Sequence, residues 1–119
     1  MIVAGIGYRS QTSISSLVRA LETIDVVPDL LACGENKRDT DQIFALGKAL
    51  NLPVELVPMD QLSQQTCDTQ SDTIHARFQT GSYSEACALA AAGEGATLLT
   101  PRRVLADGQV TIAIAKGPS

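Results

Sequence analysis

Ile2-Val3-Ala4-Gly5-Ile6-Gly7, followed at once by Tyr8-Arg9-Ser10-Gln11-Thr12, opens the chain. An apolar run with no polar alternation reads as a strand buried on both faces, because a sheet covered by helices on both sides leaves no face for water. The polar residues after it lead into Ile14, Leu17, Val18 and Leu21 at helical spacing, with a Ser or Thr available as N-cap. Pro28 and Asp29 precede a second short apolar strand, Leu30-Leu31-Ala32-Cys33, which ends in a polar loop over 34–38. Asp39 or Thr40 is placed to cap a helix carrying Ile43, Phe44, Leu46 and Leu50, and Asn51 and Pro53 close it before a third strand at 54–57. The order β-α-β-α-β predicts parallel strands joined by right-handed helical crossovers.

Beyond Pro58 the pattern weakens. Asp60 can cap a short helix through Leu62, residues 63–73 are almost continuously polar and read as an exposed loop, and 74–78 can form one helical turn before Gly81. Ser82-Tyr83-Ser84-Glu85 has capping-box spacing and opens an Ala-rich helix over 85–92, ended by Gly93 and Gly95. Strands at 97–100 and 110–115, with Asp107-Gly108 turn chemistry between them, are expected to pair antiparallel. The fold expected is α/β: a three-layer α/β/α arrangement with a mostly parallel, mixed sheet of about five strands, one domain over residues 1–119.

Composition sets the limits on function. A chain of 119 residues, 45% hydrophobic and 18% charged, has the material for one packed core and is too apolar for a disordered tail. Nine Lys and Arg against thirteen Asp and Glu give a net charge of −4, so no global basic field draws in nucleic acid or anionic lipid. Aromatic residues are 3% of the chain and Trp is absent, which leaves no stacking platform for bases. Cys33, Cys67 and Cys87 form no CxxC pair, so neither a disulfide framework nor a zinc knuckle is expected. With no basic leader and no long apolar run, the expectation is a cytoplasmic protein with no membrane partner. The oligomeric state is not legible from these residues.

In open α/β sheets, ligands bind beyond the carboxyl ends of the parallel strands. This sequence sends Arg9, with Ser10, Thr12 and Ser13, past the first strand, Glu35, Asn36, Lys37 and Arg38 past the second, and Arg102 and Arg103 past the strand at 97–100. Five of the nine cations thus follow strands, where helix N-termini add partial positive charge, an arrangement suited to a carboxylate or phosphate. Gly5 and Gly7 allow backbone to approach such a ligand or serve strand–helix packing. The dinucleotide fingerprint is incomplete, since Ser10 stands at the third glycine. Ser82 and Glu85 read as a helix cap, and His75, the sole histidine, as a surface residue with no ligand partner at metal spacing. No HExxH, P-loop or nucleophile-elbow spacing occurs, so no catalytic residue, metal or cofactor is assigned.

Three segments in order, Gly5-Ile6-Gly7-Tyr8-Arg9-Ser10 with Thr12-Ser13, Lys37-Arg38-Asp39 before a helix, and Ser82-Tyr83-Ser84-Glu85-Ala86-Cys87-Ala88-Leu89 followed by Leu98-Leu99 and Val110-Thr111-Ile112-Ala113-Ile114-Ala115, span nearly the whole chain. Together they resemble the CobE family and the homologous C-terminal domain of CbiG, from the corrin-ring stage of cobalamin (vitamin B12) biosynthesis. In that family CbiG opens the ring-A lactone of a cobalt-precorrin and releases a two-carbon fragment as acetaldehyde. Departures from the family's pattern are Tyr8 in place of a cysteine, Ser10 in place of a second base, Gln11 in place of a glycine and Thr40 in place of a glutamate, while Arg102 falls near a lysine usually found before the last strand. Precorrins are macrocycles rimmed by acetate and propionate, which a cluster of Arg and Lys can hold by charge-assisted hydrogen bonds. The resemblance therefore implies a protein that binds or carries a precorrin or hydrogenobyrinic-type intermediate through Gly7, Arg9, Ser10, Thr12, Ser13, Lys37, Arg38, Asp39, Arg102 and Arg103. It leaves two alternatives: an enzyme acting on the ring-A lactone or acetyl group, with Asp39 or Glu35 for acid–base work, and a scaffold that docks other pathway enzymes through 63–73.

Overall fold

The computed structural model describes residues 1–65, 67, 70 and 82–118. Along the described chain the elements are β1 (Ile2–Tyr8), α1 (Ile14–Glu22), β2 (Leu30–Gly34), a 3₁₀ turn (Glu35–Lys37), α2 (Gln42–Leu50), β3 (Val54–Val57), α3 (Met59–Leu62), α4 (Tyr83–Ala92), β4 (Thr97–Leu105), a second 3₁₀ turn (Ala106–Gly108) and β5 (Val110–Lys116). The five strands form one mixed sheet in the order β3-β2-β1-β5-β4. β1 pairs parallel with β2, and β2 with β3, while β5 runs antiparallel to both β1 and β4. Only β5 therefore points against the other strands.

Successive side chains of a strand leave opposite faces, and in β1 this period-two rule sorts large from small. Ala4, Ile6 and Tyr8 enter the core shared with Leu17 and Leu21 of α1 and Ile43 and Leu46 of α2. Val3, Gly5 and Gly7 lie on the other face, which α4 covers. The neighbouring strands repeat the sorting: register sets Ala113 and Ala115 of β5 beside Gly5 and Val3, and Ala32 of β2 packs with Val3, Ala86 and Cys87. A sheet face made mostly of Gly and Ala lets a helix come close. At Gly5 a Cβ would overlap the Ser84 carbonyl oxygen and would stand 2.6 Å from the Ala88 backbone nitrogen. The two glycines of the opening run are thus strand–helix packing residues: space at Gly7 is filled by the Thr111 hydroxyl and the Tyr83 ring.

The helix that meets this face is correspondingly small-chained, and Tyr83 through Leu89 are all buried. Ser82 is its N-cap, accepting from the Glu85 backbone N–H at 3.4 Å. Glu85 is completely buried, and its Oε2 accepts the Arg102 backbone N–H at 2.7 Å, which ties the start of α4 to the edge strand.

The expected architecture holds, with four local corrections. β4 runs through Pro101 to Leu105 rather than stopping at Thr100. Proline is tolerated there because the strand is at the sheet edge and its pairing with β5 shifts register on either side of Thr100. Arg102 and Arg103 consequently lie inside the strand and not in a loop after it. The cap of α2 is Asp41 rather than Asp39 or Thr40, because the Thr40 hydroxyl is engaged with Lys37 and Tyr8. α3 begins at Met59 after Pro58, not at an Asp60 cap. Within the 63–73 segment Cys67 is 7% exposed and packs with Val57, Leu62 and Cys87, so an entirely exposed loop is corrected at that residue. The expected turn at 74–78, with His75, lies outside the described residues. Among the described residues no helix is long and apolar enough to cross a membrane.

Gly5→Ala is expected to lower unfolding free energy by about 1–3 kcal/mol, the usual cost of overpacking, because backbone rather than a flexible side chain opposes the added methyl. Urea denaturation measures it, with Leu99→Ala on the exposed edge expected within about 0.5 kcal/mol of wild type.

Candidate functional site

The carboxyl ends of β1 and β2 lie side by side, since Gly5 pairs with Ala32 in parallel register and adjacent strands are about 4.8 Å apart. The chain leaves β1 at Tyr8 and β2 at Gly34, so the 9–13 loop and the 35–41 loop share this edge. Lys37 joins them. Its ammonium donates to the Tyr8 carbonyl at 2.8 Å and stands 4.6 Å from the centroid of the Tyr8 ring, adding a cation–π contact. Thr40 Oγ1 donates to the Lys37 carbonyl at 2.8 Å. A hydroxyl has one proton, so at the 2.6 Å contact between Tyr8 and Thr40 the tyrosine is the donor. Tyr8, Lys37 and Thr40 thereby form a closed set that fixes the 35–41 loop against the end of β1.

On the other face, Tyr83 supports the same loop from the first turn of α4. Its hydroxyl accepts the Gly34 backbone N–H at 2.7 Å and donates to Asn36 Oδ1 at 2.7 Å. Sequence reasoning placed Tyr83 in a helix cap and gave it no part at this edge; its hydroxyl meets Gly34 only because α4 crosses the sheet at Gly5 and Gly7. Gln42 of α2 donates to the Ser10 and Thr12 carbonyls at 2.8 and 3.3 Å, and so holds the first loop to the second helix.

The ten residues singled out by sequence fall into four groups. Arg9, Ser10, Arg38 and Asp39 are exposed at this edge, with Lys37 half-buried beside them. Thr12 and Ser13 shape the loop: the buried Thr12 hydroxyl donates to the Gln109 carbonyl at 3.3 Å, and Ser13 caps α1 by accepting from the Ser16 backbone N–H at 3.1 Å. Gly7 is in the strand beneath. The structure does not bring Arg102 and Arg103 to this edge: Arg103 pairs with Ile112, which pairs with Ile6, two residues short of the end of β1 and two strands away.

The edge is charge-mixed rather than uniformly basic. Arg38 pairs with Glu35 at 3.1 Å, with the two side chains 65% and 37% exposed, a surface ion pair of the kind a competing carboxylate can open. Glu35 Oε1 also accepts the Met59 backbone N–H at the start of α3, at 3.4 Å. Asp39 and Asp41 lie in the same loop. With carboxylates among its cations, this edge offers directed N–H donors rather than a broad positive field.

Covalent chemistry finds little support in the buried thiols. Burial pushes the Cys33 thiol up to about 12, even with the Lys37 charge drawing it back, and burial likewise raises Cys87 well above the ordinary thiol range. Such cysteines stay protonated near neutral pH and are poor nucleophiles. Burial also raises the Tyr8 phenol, with the Thr40 hydrogen bond pulling it back. Among the described residues no three of His, Cys, Asp and Glu converge on a possible metal position.

The family model described as cobalamin synthesis G C-terminus matches residues 2–115. The chain belongs to that family. Two solved structures agree with it across nearly full length. CobE, described as a protein from the cobalamin (vitamin B12) biosynthetic pathway, is 30% identical with a TM-score of 0.80, over 97% of this chain and 89% of that one. The cobalamin biosynthesis protein chiG from Agrobacterium tumefaciens is 34% identical with a TM-score of 0.73, over all of both chains. No curated protein sequence matches.

Two outcomes follow from the geometry. Tyr83→Phe orphans the buried Gly34 N–H and is expected to cost about 1–3 kcal/mol, measured by urea denaturation. The ordinary Cys33 pKa is 9.0 and its folded value about 12, so this group's contribution is intact below pH 9 and is lost as pH rises from there toward 12. Stability measured across that range should fall, and Cys33→Ala should flatten part of the decline.

Proposed function

We propose that this protein serves cobalamin biosynthesis by binding or carrying a precorrin or hydrogenobyrinic-type tetrapyrrole at the joined carboxyl ends of β1 and β2. One observation carries the reading: Arg9, Lys37 and Arg38 reach the same edge from the ends of two adjacent strands, in a chain of the cobalamin synthesis G C-terminus family. Arg and Lys are donors without acceptor capacity, and a corrin intermediate presents several ionised acetate and propionate arms. Guanidinium groups grip a carboxylate through two parallel N–H donors, and Lys37 supplies a compact charge whose position the Tyr8 carbonyl and ring define. Ser10 and Asp39 border the same surface. Thr12, Ser13 and Gly7 contribute by fixing the loop and strand that present Arg9. Pathway enzymes that make or consume the intermediate are the macromolecular partners this reading implies.

Binding fits the edge better than bond-breaking does. Turnover of the ring-A lactone needs an acid–base pair or a nucleophile aimed at one atom; the carboxylates here either cap α3 and pair with Arg38, as Glu35 does, or stand in solvent, as Asp39 does.

The test is titration of the intact protein with hydrogenobyrinic acid, followed by absorbance. Saturable binding is expected, weakened about tenfold or more by Arg9→Ala or Arg38→Ala, each of which removes a charge-assisted hydrogen bond worth about 1.5–3 kcal/mol. Equal affinity in both variants contradicts the reading. Loss of a two-carbon unit from a lactone-bearing precorrin, in excess over protein, replaces it with the enzymatic one.

A further inference from the structure

A second groove lies on the flank of α1, outside the β1–β2 edge. Ser16 and Arg19 of α1 and Thr23, which caps its C-terminus, recur at helical spacing and face Leu105 and Gln109 at the junction of β4 and β5, enclosing with Ala20 a half-open cavity of about 310 Å³. The groove lies at the sheet edge: α1 and α2 pack on β1, β2 and β5, and of β4, the edge strand, Leu105 packs against that core. Its far wall is built by the β4–β5 turn, where Ala106 adopts a left-handed backbone (φ 53) and holds Gln109 beside the N-terminal half of α1. Arg103 opens onto this face as well, because it pairs with Ile112, whose side chain lies in the α1–α2 core.

The donors here are unspent. Ser13 Oγ donates to Ser16 Oγ at 3.0 Å, so the Ser16 hydroxyl proton is left to point elsewhere. The Gln109 carbonyl accepts from the Arg9 N–H and the Thr12 hydroxyl, while its side-chain amide is exposed and makes no hydrogen bond among the described residues. Among the described residues neither Arg19 nor Arg103 is in an ion pair, and the described lining of the cavity holds no Asp or Glu. Residues bearing a guanidinium, a hydroxyl and an amide therefore line one space together with the apolar Ala20 and Leu105. We propose that the groove between α1 and the β4–β5 turn is a second binding site, for a small organic acid whose carboxylate meets Arg19, Ser16 and Gln109 and whose short hydrocarbon part rests on Ala20 and Leu105. A cavity of this size is at the low end for ligand sites, which suits a molecule of a few carbons and not a macrocycle. The proposal stands apart from the reading of the β1–β2 edge.

The test is a ¹H–¹⁵N NMR titration of the full chain with succinate, and in a separate arm with inorganic phosphate. Succinate is expected to give saturable shifts at Ser16, Arg19, Thr23 and Gln109 in the millimolar range, and Arg19→Gln to weaken binding about tenfold, with Arg103→Gln weakening it less. Saturation by phosphate alone identifies an anion site without the apolar floor and overturns the organic-acid assignment. Shifts that grow linearly without saturating, or that are unchanged by Arg19→Gln, overturn the site. Hydrogenobyrinic acid titrated into Arg19→Gln should bind as it does to wild type, so failure of one site is read separately from failure of the other.

Discussion

The close approach of α4 to β1 at Gly5 governs the rest of the molecule. Backbone oxygen and nitrogen of the helix occupy the position a side chain would take, so the central strand has to carry glycine where it meets the helix. Once that contact is made, Tyr83 falls over the ends of β1 and β2, and its hydroxyl picks up the last backbone N–H of β2. The Ala-rich composition of α4 and the small residues of β5 follow from the same requirement, since larger chains would hold the helix away from the sheet and withdraw Tyr83 from the edge. Buried Glu85 then links the helix to β4 through the Arg102 N–H. Packing on one face of the sheet in this way determines which polar groups meet at its carboxyl end.

Two tyrosines on opposite faces hold the 35–41 loop. Tyr83 holds its start through Gly34 and Asn36, and Tyr8 its end through Thr40 and Lys37. Placing Lys37 is a matter of neighbouring dipoles and a ring face, with the Tyr8 carbonyl turned toward an ammonium that a charged ligand could share. Arg9 and Arg38, by contrast, extend from the surface, one from each loop. One cation held in place and two exposed ones at the same edge are what the proposed ligand, with several carboxylates on one rim, would require, and the −4 net charge of the chain is no obstacle to that proposal, since charge-assisted hydrogen bonds act through directed donors at short range.

Much of this was legible in the residues and some was not, for physical reasons. The run from Ile2 to Gly7 announces a strand buried on both faces, and the alternation of strand and helix signals that follows requires the parallel half of the sheet. A Ser or Thr cap before α1, which proves to be Ser13, and the Ser82 cap of α4 were visible because a cap is a local interaction. Arg102 and Arg103 were misplaced because Pro101 reads as a strand end, and only the edge position of β4 makes it tolerable. Thr40 looked like a helix cap because its partners, Lys37 three residues away and Tyr8 on another strand, are set by tertiary contacts. The same holds for Tyr83, whose role at the edge depends on where the whole helix lies. Of the five cations that follow strands in the sequence, Arg9, Lys37 and Arg38 meet at the β1–β2 edge, and Glu35, Asp39 and Asp41 gather with them.

The most direct measurement of the central claim is a crystal structure of the intact protein with hydrogenobyrinic acid bound. The account predicts carboxylate arms within hydrogen-bond distance of Arg9, Lys37 and Arg38, with the Arg38–Glu35 pair opened and Tyr83 still bridging Gly34 and Asn36. A macrocycle seated elsewhere on the molecule, or at this edge without contact to those three side chains, would contradict it.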